Sequence, residues 1–333
     1  MDRTTAQYSG FPINEFNGET ILITGAGGYI AGRLLDFLSV SNCKIIAITQ
    51  KQIKKSSNIS KISGDISKRD FWCGVLKEVD IVVHLAGNTS LRFAELDPVG
   101  SLESSVFPIL KLIEASKITG RVPKVIFSST ATVYGLTTMM PQSEIGPLNP
   151  ITIYDLHKYF AEQQLFLASN RGDIEAICLR LSNVYGPSDN ISSAQDRGIL
   201  TKVALNALNG DPIKLYGGGE FLRDYIFIDD VVRAMMMIAV SKKTLPIAMN
   251  LSSGTSKRVC DVFSLITNKV QEITGKSMAM EQADFPPEFS PIELRNYMAN
   301  IDLIKSELGW IPQVTIEAGI DQLIKKLRIF EGN

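Results

Sequence analysis

Short apolar segments alternate with helical segments through the first half of the sequence, and this alternation constrains the fold more strongly than any other feature. Most of these segments are apolar at consecutive positions, which is typical of strands in a parallel sheet with helices on both faces. The order predicts an α/β protein with a Rossmann-type, doubly wound parallel sheet. The expected strands are ETILIT (19–24), KIIAIT (44–49), ISKISGD (59–65), VDIVVHLAG (79–87), PKVIFSST (123–130) and IEAICLRLS (174–182).

Clusters of glycine, proline, serine and aspartate interrupt the chain after residue 182, as in YGPSDN, NGDP, YGGGE and FPPEFSP. They predict a smaller, irregular α/β substrate-binding region in the C-terminal half, at the carboxyl edge of the sheet, where open α/β sheets bind ligands. We therefore expect three parts. They are an N-terminal arm at 1–18, an NAD(P)-binding domain at 19–182 whose core strands recur to about 252, and a mainly substrate-binding region at 183–333.

Composition and charge argue against several functions. The net charge of −1 argues against a nucleic-acid partner. The chain has two histidines and four scattered cysteines without a C-x-x-C pair, which argues against a metal site and indicates reduced thiols. No apolar run reaches the length of a membrane span, and the N-terminus carries no apolar signal region. We therefore expect a cytoplasmic protein that does not associate with membranes.

A glycine-rich turn, TGAGGYIAG, follows the first predicted strand and precedes the first predicted helix. Gly25, Gly28 and Ala31 match the spacing G-x-x-G-x-x-[G/A]. Glycine permits a tight turn and lets backbone N–H groups approach a pyrophosphate at the positive end of a helix, while the third position needs only a small residue. In this position between strand and helix, the turn predicts dinucleotide binding.

The type of dinucleotide is read at the end of the second strand, where an acidic residue binds the adenosine ribose hydroxyls of NAD. Thr49 and Gln50 stand there instead, and Lys51, Lys54 and Lys55 follow. A carboxylate would repel a 2′-phosphate, whereas these residues accept one, so the sequence favours NADP(H) and leaves NAD(H) possible. The alternative is that the lysines form a solvated loop beside a permissive site.

Tyr154 and Lys158 in IYDLHK are four residues apart, so a helix places both side chains on one face. By itself, this spacing is equally compatible with an ordinary helix surface. His157, directly before the lysine, is interpreted as a packing residue or a contact to a second subunit, without a catalytic role. His84, at the end of the fourth strand, is interpreted as a packed and hydrogen-bonded residue.

Eight motifs occur in one order between about residues 19 and 328: TGAGGYIAG, GDIS, HLAG, IFSSTATVYG, YDLHK, LRLSNVYGP, LRDYIFIDD and NLSSG. Together they resemble the extended short-chain dehydrogenase/reductases of the nucleotide-sugar epimerase/dehydratase family. The SSTATVYG segment is similar to that of UDP-galactose 4-epimerases. The resemblance implies an NAD(P)-dependent enzyme that transfers hydride at C4 of a nucleotide-activated hexose, and a homodimer formed through helices around 95–118 and 150–170.

The resemblance also implies roles for individual residues. Thr130 would bond the reacting sugar oxygen, Tyr154 would be the acid/base, and Lys158 would hold the nicotinamide ribose. Free tyrosine has a pKa near 10, so a lowering by about 3 units requires roughly 4 kcal/mol of phenolate stabilisation, which we expect from Lys158 and the oxidised nicotinamide. The expected cofactor contacts are Gly25, Gly28, Tyr29, Ile30, Thr49, Lys51, Asp65, Ile66, Leu85, Ala86, Gly87, Ser128, Tyr154 and Lys158.

Substrate contacts are expected in the second half of the chain. The resemblance assigns Asn183, Arg223 and Arg295 to the sugar diphosphate, for which a planar guanidinium is suited. The alternative for Arg223 is a structural ion pair with Asp224 or Asp229.

The type of reaction stays open between two outcomes that use the same residues. The sequence after the second strand favours a 4-keto-sugar reductase, whereas the SSTATVYG segment favours a 4-epimerase. Sugar 4,6-dehydratases of this family carry Asp-Glu directly after the catalytic Ser/Thr, and Ala131 and Thr132 occupy those positions, which argues against a dehydratase. A non-catalytic dinucleotide-binding scaffold is a further alternative, but it would often have lost Thr130, Tyr154 or Lys158.

Overall fold

The computed structural model describes residues 10–187, 198–287 and 289–331 of the chain. The strands are β1 (Thr20–Thr24), β2 (Lys44–Ile48), β3 (Ile59–Ile62), β4 (Ile81–His84), β5 (Lys124–Thr130), β6 (Glu175–Leu181), β7 (Asn183–Tyr185), β8 (Ile213–Tyr216), β9 (Leu222–Phe227), β10 (Ala248–Leu251), β11 (Ser256–Arg258) and β12 (Met280–Ala283). The α-helices are α1 (Tyr29–Leu38), α2 (Arg69–Val75), α3 (Leu91–Leu96), α4 (Pro98–Ser105), α5 (Phe107–Thr119), α6 (Ile153–Asn170), α7 (Ile199–Asn209), α8 (Ile228–Val240), α9 (Val259–Thr274), α10 (Asp302–Leu308) and α11 (Ile316–Glu331).

The central sheet is seven-stranded, with the order β10-β6-β5-β4-β1-β2-β3 and parallel pairing throughout. The chain runs outward in one direction from β1 to β3 and in the other direction from β4 to β10. The strand order therefore reverses between β1 and β4, and this is the point at which doubly wound sheets bind ligands. The predicted Rossmann-type α/β fold is confirmed.

Both faces of the central sheet are covered by apolar packing. On one face, the buried side chains of α1 and α8, such as Leu34 and Val231, pack against β1, β2 and β4. On the other face, α2, α5 and α6 contribute Trp72, Leu112 and Leu165. Because helices shield both sides, the strands are apolar at nearly every position, which explains the sequence pattern.

The sequence pattern predicts one long helix over about 95–118, but the structure has the three helices α3, α4 and α5 in this region, so that prediction was wrong. Pro98 and Pro108 stand in the first turns of α4 and α5. Proline has no N–H to donate inside a helix but is compatible with a first turn, so each proline starts a new helix. Asp97 caps α4 by accepting a hydrogen bond from Gly100 N at 2.9 Å.

The C-terminal half builds a second apolar cluster from α7, α9, α11 and the small sheets β11-β9-β7 and β12-β8. β10 belongs to the central sheet, where it pairs with β6. The division at residue 182 stays a prediction. Among the helices of the described residues, none combines the length and the apolar character needed to cross a membrane.

Candidate active site

The glycine-rich turn joins β1 to α1 at the point where the strand order reverses. Gly25 has a φ of +65°, and a Cβ at this position would lie 2.8 Å from the backbone nitrogen of Ala86. Only glycine fits, because the conformation is left-handed and the end of β4 lies in direct contact. Gly28 is the N-cap of α1, so the helix begins with backbone N–H groups and no side-chain oxygen, an arrangement that suits a pyrophosphate.

Gly27 is a further constrained position that the sequence analysis did not single out. A Cβ there would lie 2.7 Å from Thr49 Oγ1 and 2.8 Å from Lys51 Cβ. The stem of Lys51 therefore lies against the turn, although the residue is exposed overall. Thr49 Oγ1 also accepts a hydrogen bond from Lys51 N at 3.0 Å, which fixes the loop after β2 beside the glycine turn.

Thr24, which the sequence analysis missed, ties the ends of β1 and β4 together. Its Oγ1 accepts hydrogen bonds from Leu85 N at 3.2 Å and Ala86 N at 3.1 Å, and it lies 3.1 Å from His84 Nδ1. Complete burial lowers the pKa of His84 to about 3, so the ring is neutral. His84 is a packed, hydrogen-bonded residue in the structure.

Asp65 and Ile66 follow β3 at the same edge of the sheet. Asp65 is exposed and accepts hydrogen bonds from Ser67 N at 2.9 Å and Ser67 Oγ at 2.6 Å, which lower the pKa of its carboxyl. The carbonyl of Ile66 accepts a bond from Trp72 Nε1 at 2.7 Å. These bonds hold the turn in one shape beside the ends of β1 and β2.

These residues fit a bound dinucleotide. The turn leaves no room for a side chain at Gly25 or Gly27, and α1 begins with a glycine at its positive end. The expected contacts from the ends of β1 to β4 meet at one edge, because parallel strands end on the same side of a sheet. The individual cofactor contacts remain predictions.

Lys158 is buried, and its ammonium group is held at the end of β5. Its Nζ donates a hydrogen bond to the carbonyl of Ser128 at 2.8 Å and lies 4.8 Å from the ring centre of Phe127. Burial lowers the pKa of Lys158 to about 8. A Cβ added to Gly87 would lie 3.9 Å from this Nζ, so the amine lies next to the end of β4.

Tyr154 lies on the same face of α6 as Lys158, with the amine 6.0 Å from the centre of the phenol ring. Burial, with a smaller contribution from the charge of neighbouring Asp155, raises the pKa of Tyr154. The sequence analysis expects a lowered pKa. Lys158 does not supply that lowering, because its amine stands 6.0 Å from the centre of the phenol ring and donates a hydrogen bond to the carbonyl of Ser128 instead.

Thr130 and Tyr154 line one cavity of about 320 Å³, which we call the tyrosine cavity. Thr130 ends β5 and accepts a hydrogen bond from Thr132 N at 3.2 Å. The structure thus brings these two predicted residues together from elements that are separate in the sequence. Further residues around this cavity are Tyr29, Ile30, Ser129, Ser182, Asn183 and Tyr225.

His157 points away from this cavity. Its Nδ1 lies 2.9 Å from Ser101 Oγ on α4, and the side chain is buried. Burial lowers its pKa. The contact joins α6 to α4, so the structure gives His157 a packing role.

Asn183, Arg223 and Arg295 converge although they are far apart in the sequence. Arg223 donates to the carbonyls of Leu222, at 3.1 Å, and of Arg295. Arg295 Nη2 lies 3.5 Å from Asn183 Oδ1. Both guanidinium groups are buried.

The expected alternative for Arg223, an ion pair with Asp224 or Asp229, is wrong. Asp224 instead accepts a hydrogen bond from Ser253 Oγ at 2.6 Å, and Asp229 pairs with Arg33 at 2.6 Å. In the part of the chain that the structure describes, Arg223 pairs with Glu293, with an N–O distance of 3.5 Å.

Arg223 and Arg295 form a pair of buried positive charges. Arg223 and Arg295 share Glu293 as their ion-pair partner among the described residues. Burial, reinforced by the charge of Arg295, lowers the pKa of Arg223 to about 10. Two buried cations with one carboxylate favour an anionic ligand.

Arg223 lines a larger cleft of about 870 Å³, which we call the arginine cleft. Thr89, Asn183 and Tyr225 line both this cleft and the tyrosine cavity, so the two spaces adjoin. Lys202 and Lys214, which the sequence analysis missed, also line the cleft. Their sequence positions carry no motif that would have identified them.

A family model described as the NAD dependent epimerase/dehydratase family matches residues 21–251. A putative UDP-glucose 4-epimerase of Methanocaldococcus jannaschii is 26% identical, over 92% of this chain and 98% of its own length. The UDP-glucuronic acid decarboxylase 1 of Xenopus tropicalis is 25% identical, over 95% of this chain and 74% of its own length.

A solved structure of MoeE5 in complex with UDP-glucose and NAD has a similar fold. The TM-score is 0.82 and the sequence identity is 26%, with 94% of this chain and 100% of that chain covered. The similarity thus extends over the central sheet and over the C-terminal elements that line the arginine cleft.

Proposed function

The chain belongs to the NAD-dependent epimerase/dehydratase family, and on that premise we propose that it is a nucleotide-sugar 4-epimerase that works with NAD. Two of the similar proteins support this proposal: one is named a putative UDP-glucose 4-epimerase, and the solved structure of the other contains UDP-glucose and NAD. The proposed substrate is therefore a hexose carried on a nucleoside diphosphate.

The continuity of the two spaces is the observation that carries the proposal. The tyrosine cavity is lined by Thr130 and Tyr154, and the adjoining arginine cleft is lined by the positively charged Arg223. A ligand with a neutral ring at one end and a diphosphate at the other matches this distribution. The hydroxyl groups would meet the sugar, while Arg223, Arg295 and Asn183 would hold the phosphates.

Tyr154 would take the proton from the C4 hydroxyl and return it after the sugar has turned. NAD, when bound, supplies a positively charged nicotinamide that accepts hydride from C4 and gives it back. Because burial raises the pKa of Tyr154 in the protein alone, the phenolate needs a nearby positive charge to form. Thr130 would hold the same sugar oxygen from the other side.

Lys158 would hold the ribose of the cofactor. Its amine already donates to Ser128, and an ammonium group has three donors, so two further protons can reach a ribose hydroxyl. Its pKa of about 8 keeps most of the amine charged at neutral pH.

A 4-keto-sugar reductase is the second candidate, and the loop after β2 favours it. Thr49 and Gln50 stand where an acidic residue would bind the ribose of NAD, and the stem of the following Lys51 lies against Gly27. A reductase consumes NADPH, whereas an epimerase leaves the amount of cofactor unchanged. A dehydratase is disfavoured because Ala131 and Thr132 supply no carboxyl group after Thr130.

One incubation series distinguishes these reactions. The purified protein is mixed with NAD or NADPH and with UDP-glucose, UDP-galactose, UDP-glucuronic acid or a UDP-4-keto-sugar. An epimerase produces the C4 isomer without net loss of cofactor absorbance, and this is the expected result. Consumption of NADPH with the keto-sugar would establish the reductase. Release of CO₂ from UDP-glucuronic acid, or no turnover of any sugar, would overturn the epimerase proposal.

The cofactor preference is tested at Lys51. If the side chain meets a 2′-phosphate, Lys51→Ala should weaken NADPH binding about 5–10-fold and leave NADH binding unchanged, as expected for one partly exposed charged hydrogen bond. Dissociation constants are measured by quenching of intrinsic fluorescence. Lys44→Ala is the matched control, since Lys44 is also exposed but stands at the opposite end of β2. Tighter binding of NADH than NADPH to the unchanged protein would refute an NADP preference.

We propose that α4, α5 and α6 form a homodimer interface. These helices carry exposed apolar side chains, including Phe107 at 37%, Phe160 at 41% and Leu167 at 46% exposure. A second copy of the chain would remove this apolar surface from water.

The double variant Phe160→Glu with Leu167→Glu should shift the protein from dimer to monomer, because four carboxylates would then lie buried at the interface. Light scattering after size-exclusion chromatography gives the mass. Val40→Glu is the control, since Val40 is 52% exposed outside these helices. A monomeric unchanged protein, or a variant that stays dimeric, contradicts the proposed interface.

A further inference from the structure

Three side chains beside the tyrosine cavity form a hydrogen-bonded chain that leads away from it. Thr130 Oγ1 lies 2.7 Å from Thr132 Oγ1, and Thr132 Oγ1 is in turn hydrogen-bonded to Asp155 Oδ1. Thr130 lines the cavity, whereas Asp155 is completely buried. The chain therefore connects the cavity to a carboxyl group that has no direct access to it.

The protonation of Asp155 decides the direction of every bond in this chain, because each hydroxyl has one proton to donate. When Asp155 is ionised, Thr132 donates to Asp155 and Thr130 donates to Thr132. The proton of Thr130 then points away from the cavity. When Asp155 is protonated, it donates to Thr132, Thr132 donates to Thr130, and the proton of Thr130 is free to enter the cavity.

We propose that Thr132 and Asp155 are positioning residues, and that a protonated Asp155 turns the Thr130 hydroxyl toward the C4 oxygen of the sugar. A keto oxygen at C4 can only accept a hydrogen bond. Thr130 can therefore bond it only when the Thr130 proton points into the cavity, which requires a protonated Asp155. The inference rests on the proposed function for the identity of that oxygen, but the hydrogen-bonded chain exists without it.

The surroundings of Asp155 favour the protonated form. Its Oδ2 is buried and has no hydrogen-bond partner in the part of the chain that the structure describes. Burial raises the pKa of Asp155, while the hydrogen bond from Thr132 and the nearby Thr152 hydroxyl, which accepts from Asp155 N at 3.2 Å, oppose this rise. A neutral acid tolerates one unpartnered oxygen at much lower cost than a carboxylate does.

The charged groups around Asp155 come from three elements. Arg295 and Glu293 approach from the segment 291–295, and their charges act on the pKa of Asp155 in opposite directions. Glu95 of α3 accepts a hydrogen bond from Ile153 N at 3.0 Å at the start of α6. Tyr154 is the adjacent titratable group on α6 itself. Because Arg295 and Glu293 oppose each other, burial remains the dominant effect.

The test compares Thr132→Val, Thr132→Ser and Asp155→Asn in the NAD-loaded protein with the UDP-sugar that the unchanged protein converts. Thr132→Val keeps the shape of the side chain and breaks the chain, so kcat should fall about 10–100-fold with KM within about 3-fold. Thr132→Ser restores the hydroxyl and should restore kcat to within about 3-fold. A Thr132→Val variant with unchanged kcat would overturn the proposal.

The dependence of kcat on pH shows whether the proton of Asp155 orients the Thr130 hydroxyl or whether Asp155 has only a structural role. The kcat of the unchanged protein should fall on the alkaline side as Asp155 ionises, and this fall should vanish in Asp155→Asn, whose amide does not titrate. Identical alkaline limbs in the two proteins would contradict a role for the carboxyl proton. The acidic limb, which reports deprotonation of Tyr154, should be the same in both.

An infrared difference spectrum tests the chain independently of any activity. The unchanged protein minus Asp155→Asn should show the carbonyl stretch of a protonated carboxyl at neutral pH, and Thr132→Val should shift this band. Absence of the band overturns the inference even in an active enzyme. If no sugar is converted but the band is present, the proposed function fails and the protonated, hydrogen-bonded Asp155 stands.

Discussion

Replacing Tyr154 with phenylalanine should lower kcat about 10²–10⁴-fold while leaving KM and cofactor binding within a few-fold of their original values. The phenol of Tyr154 is the group that we propose exchanges the proton with the sugar hydroxyl, and phenylalanine keeps its ring and removes only the oxygen. The loss should concern both directions of the reaction equally, because the same proton is taken up and returned.

The measurement is steady-state conversion of UDP-galactose to UDP-glucose, with cofactor binding followed separately by fluorescence. Tyr159→Phe is the matched control, since Tyr159 lies on the same helix and is not among the residues that line either cavity. Activity of Tyr154→Phe within a few-fold of the unchanged protein would show that another group carries the proton.

Replacing Gly25 with alanine should destabilise the protein and abolish most of its cofactor binding. The left-handed conformation alone costs about 1–2 kcal/mol for a residue with a Cβ. The Cβ would also lie 2.8 Å from Ala86 N and 2.9 Å from Ala86 Cα, both backbone atoms that cannot turn away. The ends of β1 and β4 would therefore separate, and we expect at least about a 10-fold loss of NAD affinity.

Gly120→Ala separates the cost of the left-handed backbone conformation from the cost of the close contact with Ala86. Gly120 has nearly the same φ, +67°, but a Cβ there has no neighbour within 4 Å. This variant should lose only the conformational contribution of about 1–2 kcal/mol in urea unfolding and should bind NAD normally. If Gly25→Ala resembles Gly120→Ala in both stability and affinity, close packing against β4 is not what requires glycine at this turn.

Local features of the chain were predictable because the sequence itself expresses them. The consecutive apolar positions of β1, β4 and β5 follow from burial on both faces, and the order of strands and helices follows from the parallel sheet. The glycine turn was recognisable because a strand precedes it and a helix follows it. The length of the helix near residue 100 was mispredicted because apolar periodicity continues across Pro98 and Pro108, whereas the hydrogen bonding of the backbone does not.

Contacts between distant segments could not be predicted from local sequence patterns. Thr24 looks like the last residue of a strand, yet it holds Leu85 and Ala86 in place. Asp155 looks like an acidic residue in the first turn of a helix, where it would stabilise the helix dipole. Its contact with Thr132 depends on how α6 packs against the end of β5, and no local spacing expresses that packing.

By itself, the sequence determined the alternation of strands and helices, the glycine-rich turn and the placement of Tyr154 and Lys158 on one helical face, because each depends on neighbours within a few residues. Only the tertiary structure decided the environment of these groups. It brought Arg295 to Asn183 across 112 positions of sequence and gave both arginines one shared carboxylate. It also raised the pKa of Tyr154 by burial, since desolvation depends on everything that surrounds a side chain and not on its sequence neighbours alone.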